Sequence, residues 1–540
     1  MISAWSAADV RAAEEPLLEA GVPLMERASF ALAVRVLRDV AARRGPVRGA
    51  RVVVLAGAGN NGGDALHAGA VLARRGLAVT AVLVAGRFHD GGRAALERAG
   101  GRVVELYAAP ERLEAVADDA ARADVVLDGL VGIGARGPLR DLGADVVSAI
   151  SGTVRRRIVP EIALTTTPGA LWVVAVDVPS GIGVDDGAVA GPVLPADCTV
   201  TFGAAKPGLL LPPAAGLAGD VSVVDIGLDL RPDAGPNTAG PWAVRRLEPA
   251  DVGASWPVPG SADHKYTRGV VGVVAGTATY PGAAVLTTTA AVRTGAGMVR
   301  YRGSAEVGGR VLDARPEVVT APGRVQSWVV GPGVPGGPEA VHEGEADGLD
   351  DGQHERGRAC LAAAAGRLAG TAGGRVPAVV DAGGLGLLDE RVPAWFVLTP
   401  HAGELTALLR SRGEDVRRPD VEAEPLRWAR RAHDLTGATV LLKGGVTVVV
   451  GPHGAWAQAD GPGWLATAGA GDVLAGVLGA MLAARSREVV EDPALAAEVA
   501  AAAALVHGRA AHRANPGGPV AALDVADAVP GAIRDLLAAG

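Results

Sequence analysis

Cysteine is nearly absent: Cys198 and Cys360 are the only two in 540 residues. Two thiols so far apart in sequence supply neither a disulfide framework nor a cysteine-based metal cluster, and a reducing compartment is expected. Aromatic residues make up 3% of the chain. So few rings argue against an aromatic-rich sandwich and for close-packed helices and parallel strands of Ala, Gly, Val and Leu. A basic excess is also missing, the formal net charge being -8. Nothing here neutralises a phosphate backbone, which excludes a nucleic-acid partner on electrostatic grounds. No stretch reaches the roughly 20 uninterrupted apolar residues of a membrane span. Met1 to Asp9 show no basic segment followed by an apolar run. No membrane partner and a cytoplasmic location are expected.

What is present is apolar material in quantity, with 49% hydrophobic and 20% charged residues. A chain this long exceeds one ordinary hydrophobic core, so two large domains are expected. From Arg51 a βαβ rhythm sets in: a β-branched run, a glycine turn, an alanine-rich helical stretch. Val52 to Ala56, Val79 to Val84, Val125 to Asp128, Trp172 to Asp177 and Thr199 to Phe202 read as strands of one parallel sheet. Pro- and Gly-punctuated text after Gly227 marks a linker over 230–245, between domains at 1–229 and 246–540. A second α/β series follows, with strands at Val270 to Ala275, Val329-Val330, Val379 to Asp381, Val397-Leu398, Val440 to Leu442 and Thr447 to Val450. Between Gly336 and Gly357 lies an acidic stretch with His342 and His354. Its spacing has no helical register, so a solvated loop insertion is favoured there over a metal site.

Chemistry gathers at the strand ends. Gly57 to Asp64 runs from a strand into a helix, so backbone N–H groups can cradle an anion, and Asn60, Asn61 and Asp64 are more than a turn needs. Asp128, Asp177 and Ser180 also close strands, and in an open parallel sheet such ends converge on the ligand crevice. Singly, each aspartate is more commonly a cap or turn residue. Lys206 ends a strand-like run and is read equally as a phosphate neutraliser, a proton carrier or a structural lysine. In the second half, Thr467 to Asp472 precedes an uncharged helical run, Val473 to Ala484. The N–H groups of Gly469 to Gly471 can form an anion hole, and Asp472 can act as the base of a phosphoryl transfer. Leu441 to Thr447 places Lys443 and glycines where nucleotide phosphates could approach, and His401 follows a strand with Glu404.

Over Trp5 to Leu228 these segments, with Thr201 to Gly208, resemble the NAD(P)H-hydrate epimerase family. The resemblance implies a Rossmann-like three-layer α/β domain and a potassium ion held by Asn61, Asp128 and Ser180. It further implies substrate contacts at Asn60, Asn61, Gly62, Gly63, Asp64, Gly132, Ile133, Gly134, Pro138 and Asp177, with Asp177 and Lys206 as candidate catalytic groups. Two departures stand out: Ala65 where the family usually has another glycine, with a strain cost if that backbone needs positive φ, and an extra polar stretch from Ile158 to Gly169.

Over Ser261 to Leu537 the chain resembles the ribokinase-like α/β fold and, more narrowly, the ADP-dependent NAD(P)H-hydrate dehydratase family. The motifs run in family order: His264-Lys265-Tyr266 with Arg268-Gly269, Tyr280 to Ala283, Gly331-Pro332-Gly333, Val380-Asp381, and the His401 and Asp472 segments. Implied hydrate contacts are Ala283, Gly333, His401 and Asp472. The adenine-nucleotide site is implied at Lys443, Gly444, Gly445, Val446, Thr447 and Gly471, with ADP as co-substrate and Mg2+ as metal. Gly383 stands where many members carry a second acid, which weakens the magnesium assignment. The resemblance as a whole implies a bifunctional repair enzyme for NAD(P)H hydrates, expected as a homo-oligomer. The alternative is a ribokinase-like small-molecule kinase fused to a nucleotide-binding scaffold.

Overall fold

The computed structural model describes residues 1–134, 137–157, 171–230, 244–336, 351–367 and 374–540. They form two compact units, residues 3–243 and residues 1–2 with 244–540. The chain opens with a short strand, β1 (Ile2–Ala4).

The first unit holds β2 (Arg51–Ala56), β3 (Ala78–Leu83), β4 (Arg102–Glu105), β5 (Val125–Gly129), β6 (Trp172–Val176), β7 (Cys198–Phe202) and β8 (Asp220–Val224). Their order is β4-β3-β2-β5-β6-β7-β8, and every neighbouring pair is parallel. Strands buried on both faces read as unbroken apolar runs, as in β5, which is buried throughout. Alternation divides β2 between two cores. Val52, Val54 and Ala56 pack with helices Leu24–Arg44 and Asn60–Arg74, while Val53 and Leu55 pack on the opposite face with helix Leu113–Ala121. Strand order reverses between β2 and β5, so the loops leaving these two strands open a crevice at the switch point.

The second unit holds β9 (Val244–Arg246), β10 (Val270–Val274), β11 (Met298–Tyr301), β12 (Ser327–Val330), β13 (Ala378–Val380), β14 (Phe396–Leu398), β15 (Thr439–Leu442), β16 (Thr447–Gly451) and β17 (Gly454–Gln458). The sheet order is β1-β9-β17-β16-β15-β14-β13-β12-β10-β11. Its strands are parallel from β11 to β15, and β15, β16 and β17 form an antiparallel meander. Its switch point lies between β10 and β12. Helix Ala470–Ala484 is apolar almost all round and buried against helix Pro281–Arg293. That contact needs glycine at 476, where a Cβ would stand 2.3 Å from the Thr287 carbonyl oxygen.

Both α/β expectations hold, with three local corrections. Val244 and Arg245, read as linker, open β9; Leu230 lies in no helix or strand, and 231–243 lie outside the described residues. The acidic stretch does contain a helical register: helix Gln353–Ala364 begins inside it, and His354 Nε2 lies 2.9 Å from the Pro335 carbonyl oxygen. Residues 337–350, with His342, and the polar stretch 158–169 lie outside the described residues. Ala65 carries no positive-φ strain, because it sits within helix Asn60–Arg74, fully buried. The glycine is needed opposite it instead, since a Cβ on Gly129 would lie 2.5 Å from that of Ala65. Among the described residues, no helix is long and apolar enough to cross a membrane.

Candidate active sites

In the first unit the crevice is built by backbones in close approach. A Cβ on Gly57, just after β2, would stand 1.8 Å from the carbonyl oxygen of Leu130, just after β5. Glycine there lets the two loops touch, and helix Asn60–Arg74 starts at their junction with its first N–H groups free for an anion. Asn60 is exposed at the helix start; Asn61, Gly62 and Gly63 are buried behind it. Asn61 Nδ2 donates to the Val131 carbonyl at 2.9 Å, and Gly132 lies directly against the Asn61 side chain. Ile133, Gly134 and Pro138 belong to the same loop after β5, of which 135–136 lie outside the described residues.

Asp128 is fully buried. It accepts from Ser180 Oγ at 2.6 Å, from Ser180 N at 2.8 Å and from Leu130 N at 3.4 Å. Burial raises its pKa, opposed by these hydrogen bonds. Val131 N donates to Ser180 Oγ at 3.1 Å, so Asn61, Asp128 and Ser180 meet around one backbone residue. A buried carboxylate among an amide, a hydroxyl and a carbonyl is an all-oxygen donor set lacking positive charge. These residues fit a hard cation such as potassium.

A second cluster lies beside it. Lys206, 1% exposed, places Nζ 2.5 Å from Asp177 Oδ1, 2.9 Å from Thr201 Oγ1 and 2.9 Å from the Phe202 carbonyl oxygen. Asp177 Oδ1 also accepts from Thr201 Oγ1 at 3.0 Å and Phe202 N at 3.3 Å. These bonds hold Asp177 at φ 66°, a left-handed backbone that a non-glycine residue adopts at a cost of roughly 1 kcal/mol or more. Asp64 faces this pair with Oδ1 buried and without a hydrogen-bond partner. Burial first, then the Asp177 and Glu14 carboxylates, push its pKa up to about 8.

In the second unit, Gly469 at φ 85° turns the chain into helix Ala470–Ala484, so Asp472 lies in the first turn with the opening N–H groups. Thr287 Oγ1 donates to the Asp472 carbonyl at 3.2 Å and ties the turn to helix Pro281–Arg293. Burial, then Asp381, pushes the Asp472 carboxyl up to about 7; Lys443 pulls it back and Glu404 adds to the rise. Lys443 Nζ sits 2.7 Å from Asp381 Oδ1 and 3.6 Å from Glu404 Oε2, and Thr399 Oγ1 donates to Asp381 at 2.8 Å. Burial would lower the Lys443 pKa, but Asp381 and Glu404 outweigh it and raise it. His401 caps helix Ala402–Ser411: Nδ1 accepts from Gly403 N at 3.0 Å and Glu404 N at 3.2 Å, while Glu404 accepts from His401 N at 2.7 Å. Ala283 and Gly333 meet at the switch point, where a Cβ on Gly333 would lie 2.4 Å from that of Ala283.

The structure thus brings Lys443, Gly471 and Asp472 together, a Cβ on Gly471 lying 3.4 Å from Lys443 Nζ. Gly444 and Gly445 stay exposed at the tip of the β15–β16 turn, with Val446 and Thr447 half-buried behind them. Lys443 does not stand free on that turn; it is ion-paired beside the base. Gly383 leaves no room for the family's second acid, since a Cβ there would stand 2.2 Å from the Val334 carbonyl oxygen. Asp381 is taken up by Lys443 and Thr399, and among the described residues no group of three His, Cys, Asp or Glu side chains could hold a metal ion. These residues do not form a magnesium cage.

Two stretches match described families: residues 22–208 the YjeF-related protein N-terminus and residues 271–529 NAD(P)H-hydrate dehydratase. A bifunctional NAD(P)H-hydrate repair enzyme of Mycobacterium leprae is 42% identical over 533 residues, covering 95% of this chain and 94% of the relative. The chain belongs to the bifunctional NAD(P)H-hydrate repair enzymes. The Mycobacterium tuberculosis relative of that description is 42% identical over 495 residues, with 89% of each chain covered. An NAD(P)H-hydrate epimerase of Clavibacter michiganensis is 47% identical over 228 residues, 42% of this chain and 91% of the relative. Membership in the repair-enzyme family takes the place of the kinase-and-scaffold alternative.

Sequence reasoning overlooked several groups in this repair enzyme. Glu14 comes from a helix that carries no motif, and Thr201 and Asp381 were read only as parts of longer segments. His507, buried in helix Leu495–Ala514, hydrogen-bonds the Ala470 backbone at the start of the Asp472 helix, and burial lowers its pKa to about 4. An ionisable residue inside an alanine-rich run was the available signal for His507.

Proposed function

We propose that the first unit interconverts the R and S hydrates of NADH and NADPH, and that the second dehydrates the S hydrate with ADP, releasing AMP and phosphate. The observation that carries this is Asp472: a carboxyl with its pKa near neutrality, in the first turn of a helix with no side-chain cap, beside Lys443. Hydroxide at C6 of the hydrate is a poor leaving group. Asp472 takes the proton of that hydroxyl as its oxygen attacks the terminal phosphorus of ADP; AMP leaves with the bridging electron pair. The helix N–H groups and Lys443 stabilise the charge on the phosphoryl oxygens. Phosphate then departs from C6 with the C–O electron pair, C5 gives up a proton so that its C–H pair forms the C5=C6 bond, and the dihydropyridine is restored. A base with pKa near the working pH suits that proton transfer.

Ala283, Gly333 and His401 would contact the hydrate, and Lys443 to Thr447 with Gly471 the adenine nucleotide. Magnesium would arrive on the nucleotide phosphates, because the described residues offer it no set of free carboxylates. In the first unit, Asn61, Asp128 and Ser180 would hold potassium, which supplies positive charge next to the substrate. Asn60 to Asp64, Gly132 to Gly134 and Pro138 would hold the hydrate, with its C6 near Asp177 and Lys206. Incubation of the S hydrate with the full chain and ADP is expected to form AMP and phosphate in amounts equal to the reduced ring recovered. Ring recovery without AMP would sink the phosphoryl route.

A further inference from the structure

Helix Ala7–Glu19 is laid across the strand ends of the first unit by three hydrogen bonds. Trp5 N donates to the Ala205 carbonyl at 2.9 Å, Ala7 N to Asp185 Oδ1 at 2.8 Å, and Arg11 Nη2 to the Ile133 carbonyl at 2.6 Å. The first anchor adjoins Lys206 and the last is on the loop implied to hold the hydrate. The inward stripe of this helix runs Ala7, Val10, Glu14, Leu17 at the three- and four-residue spacing of one face. Ala7 and Val10 are buried, and Leu17 packs on the core of the unit. A helix packing for stability alone would place an aliphatic residue at position 14; here the half-buried Glu14 stands on the inward face, and its charge acts on Asp64 and responds to Asp177 and Lys206.

Resting on the epimerase reading of this unit, we infer that Glu14, on the inward face of its helix, is a positioning residue for Asp64, and that Asp64 is the acid of epimerisation. Asp64 Oδ1 has no protein partner, so its proton is available to a ligand. Three carboxylates, Glu14, Asp64 and Asp177, face two cations, of which the Lys206 ammonium already donates to Asp177 and the Arg11 guanidinium acts on Glu14. The charged groups acting on Glu14 itself are Lys206, Asp177 and Arg11. Crowding of like charges out of water leaves one carboxyl protonated, and burial, Asp177 and Glu14 all act on Asp64 in that direction.

The step balances. Asp64 gives its proton to the C6 hydroxyl, the C6–O bond breaks with its electron pair going to oxygen, and water forms. The N1 lone pair closes a C6=N1 iminium, whose positive charge faces the carboxylates. Water adds back on either face of C6, its spare proton returns to Asp64, and no oxidant or co-reactant is required.

The test uses the full chain and a mixture of R and S hydrates with ADP, where recovery of the S share is the internal control and slower recovery of the R share reports epimerisation. In Glu14→Gln the kcat for the R share is expected to fall at least about tenfold, with KM little changed and the S share recovered at the ordinary rate. The alkaline limb of the epimerisation profile should move down by about one pH unit, because a like charge has been removed. Glu14→Asp should restore most of the rate and the profile, and Glu14→Leu should not. Wild-type rate and profile in both Glu14→Gln and Glu14→Leu would overturn the inference. The protonation of Asp64, followed by carboxyl infrared difference spectra against Asp64→Asn, needs no turnover. Its midpoint should lie near 8 and drop in Glu14→Gln, and an unmoved midpoint refutes the coupling. A wild-type chain that leaves the R share untouched while this midpoint shifts would refute the epimerase reading, not the coupling.

Discussion

Replacing Asp472 with Asn keeps the shape of the side chain and removes the base. General-base catalysis contributes about 10²- to 10⁴-fold, so ADP-dependent dehydration should fall by that factor, about 3–5 kcal/mol in the barrier. Hydrate binding should change little, since the opening N–H groups, His401 and Lys443 remain. The same substitution should stabilise the fold. The Asp472 pKa rises from 3.8 to about 7 in the folded chain, so ionising it above pH 7 opposes folding by on the order of 4 kcal/mol before screening. Partial exposure of the site reduces that to roughly 2 kcal/mol, or about 4 °C in Tm. The folded state holds the extra proton between the two pKa values. The advantage of Asn over Asp should therefore be absent near pH 4, grow toward pH 7 and stay level above. Thermal unfolding across that range checks the stability, and recovery of reduced-ring absorbance checks the activity. Undiminished turnover, or a variant less stable than wild type at pH 8, would refute the reasoning.

Lys206→Met leaves Asp177 buried without its cation; it should lower the stability of the first unit by about 3–5 kcal/mol in denaturant melts and abolish epimerisation while dehydration of the S hydrate survives. Gly383→Asp, which restores the family's second acid, should destabilise by about 3 kcal/mol and gain no magnesium affinity by calorimetry, because its Cβ would stand 2.2 Å from a carbonyl oxygen. His507 has its pKa lowered from 6.5 to about 4 in the folded chain, so stability should fall as pH drops from about 6.5 toward 4, by roughly 3 kcal/mol. His507→Gln should flatten that acid limb in pH-dependent unfolding.

Strand ends were legible because glycine and carboxylate punctuation stands out against apolar runs. Asp128, Asp177 and Ser180 could be placed at the crevice on that basis alone. Partners brought together from a distance were not legible: the ion pair of Lys206 with Asp177, or of Lys443 with Asp381, depends on how strands stack. β4 and β8 were missed because short edge strands such as Arg102–Glu105 and Asp220–Val224 are half-exposed and mixed in polarity. β17, Gly-Ala-Trp-Ala-Gln, was missed because small residues give no β signal even where a strand is fully buried. Glu14 was hidden among the acidic residues of a surface-like helix, and only the inward stripe separates it from Glu15. Gly383 looked like a lost ligand, whereas the packing shows a turn with no space for a side chain.

The most direct measurement is incubation of an R and S mixture of hydrated NADH with the full chain and ADP, following recovery of the reduced-ring absorbance to completion. Two active units recover all of it, in a fast S phase and a slower R phase, both lost in Asp472→Asn because the R share is recovered only after conversion to S. Recovery that stops at the S share, or that proceeds equally in Asp472→Asn, would contradict the account.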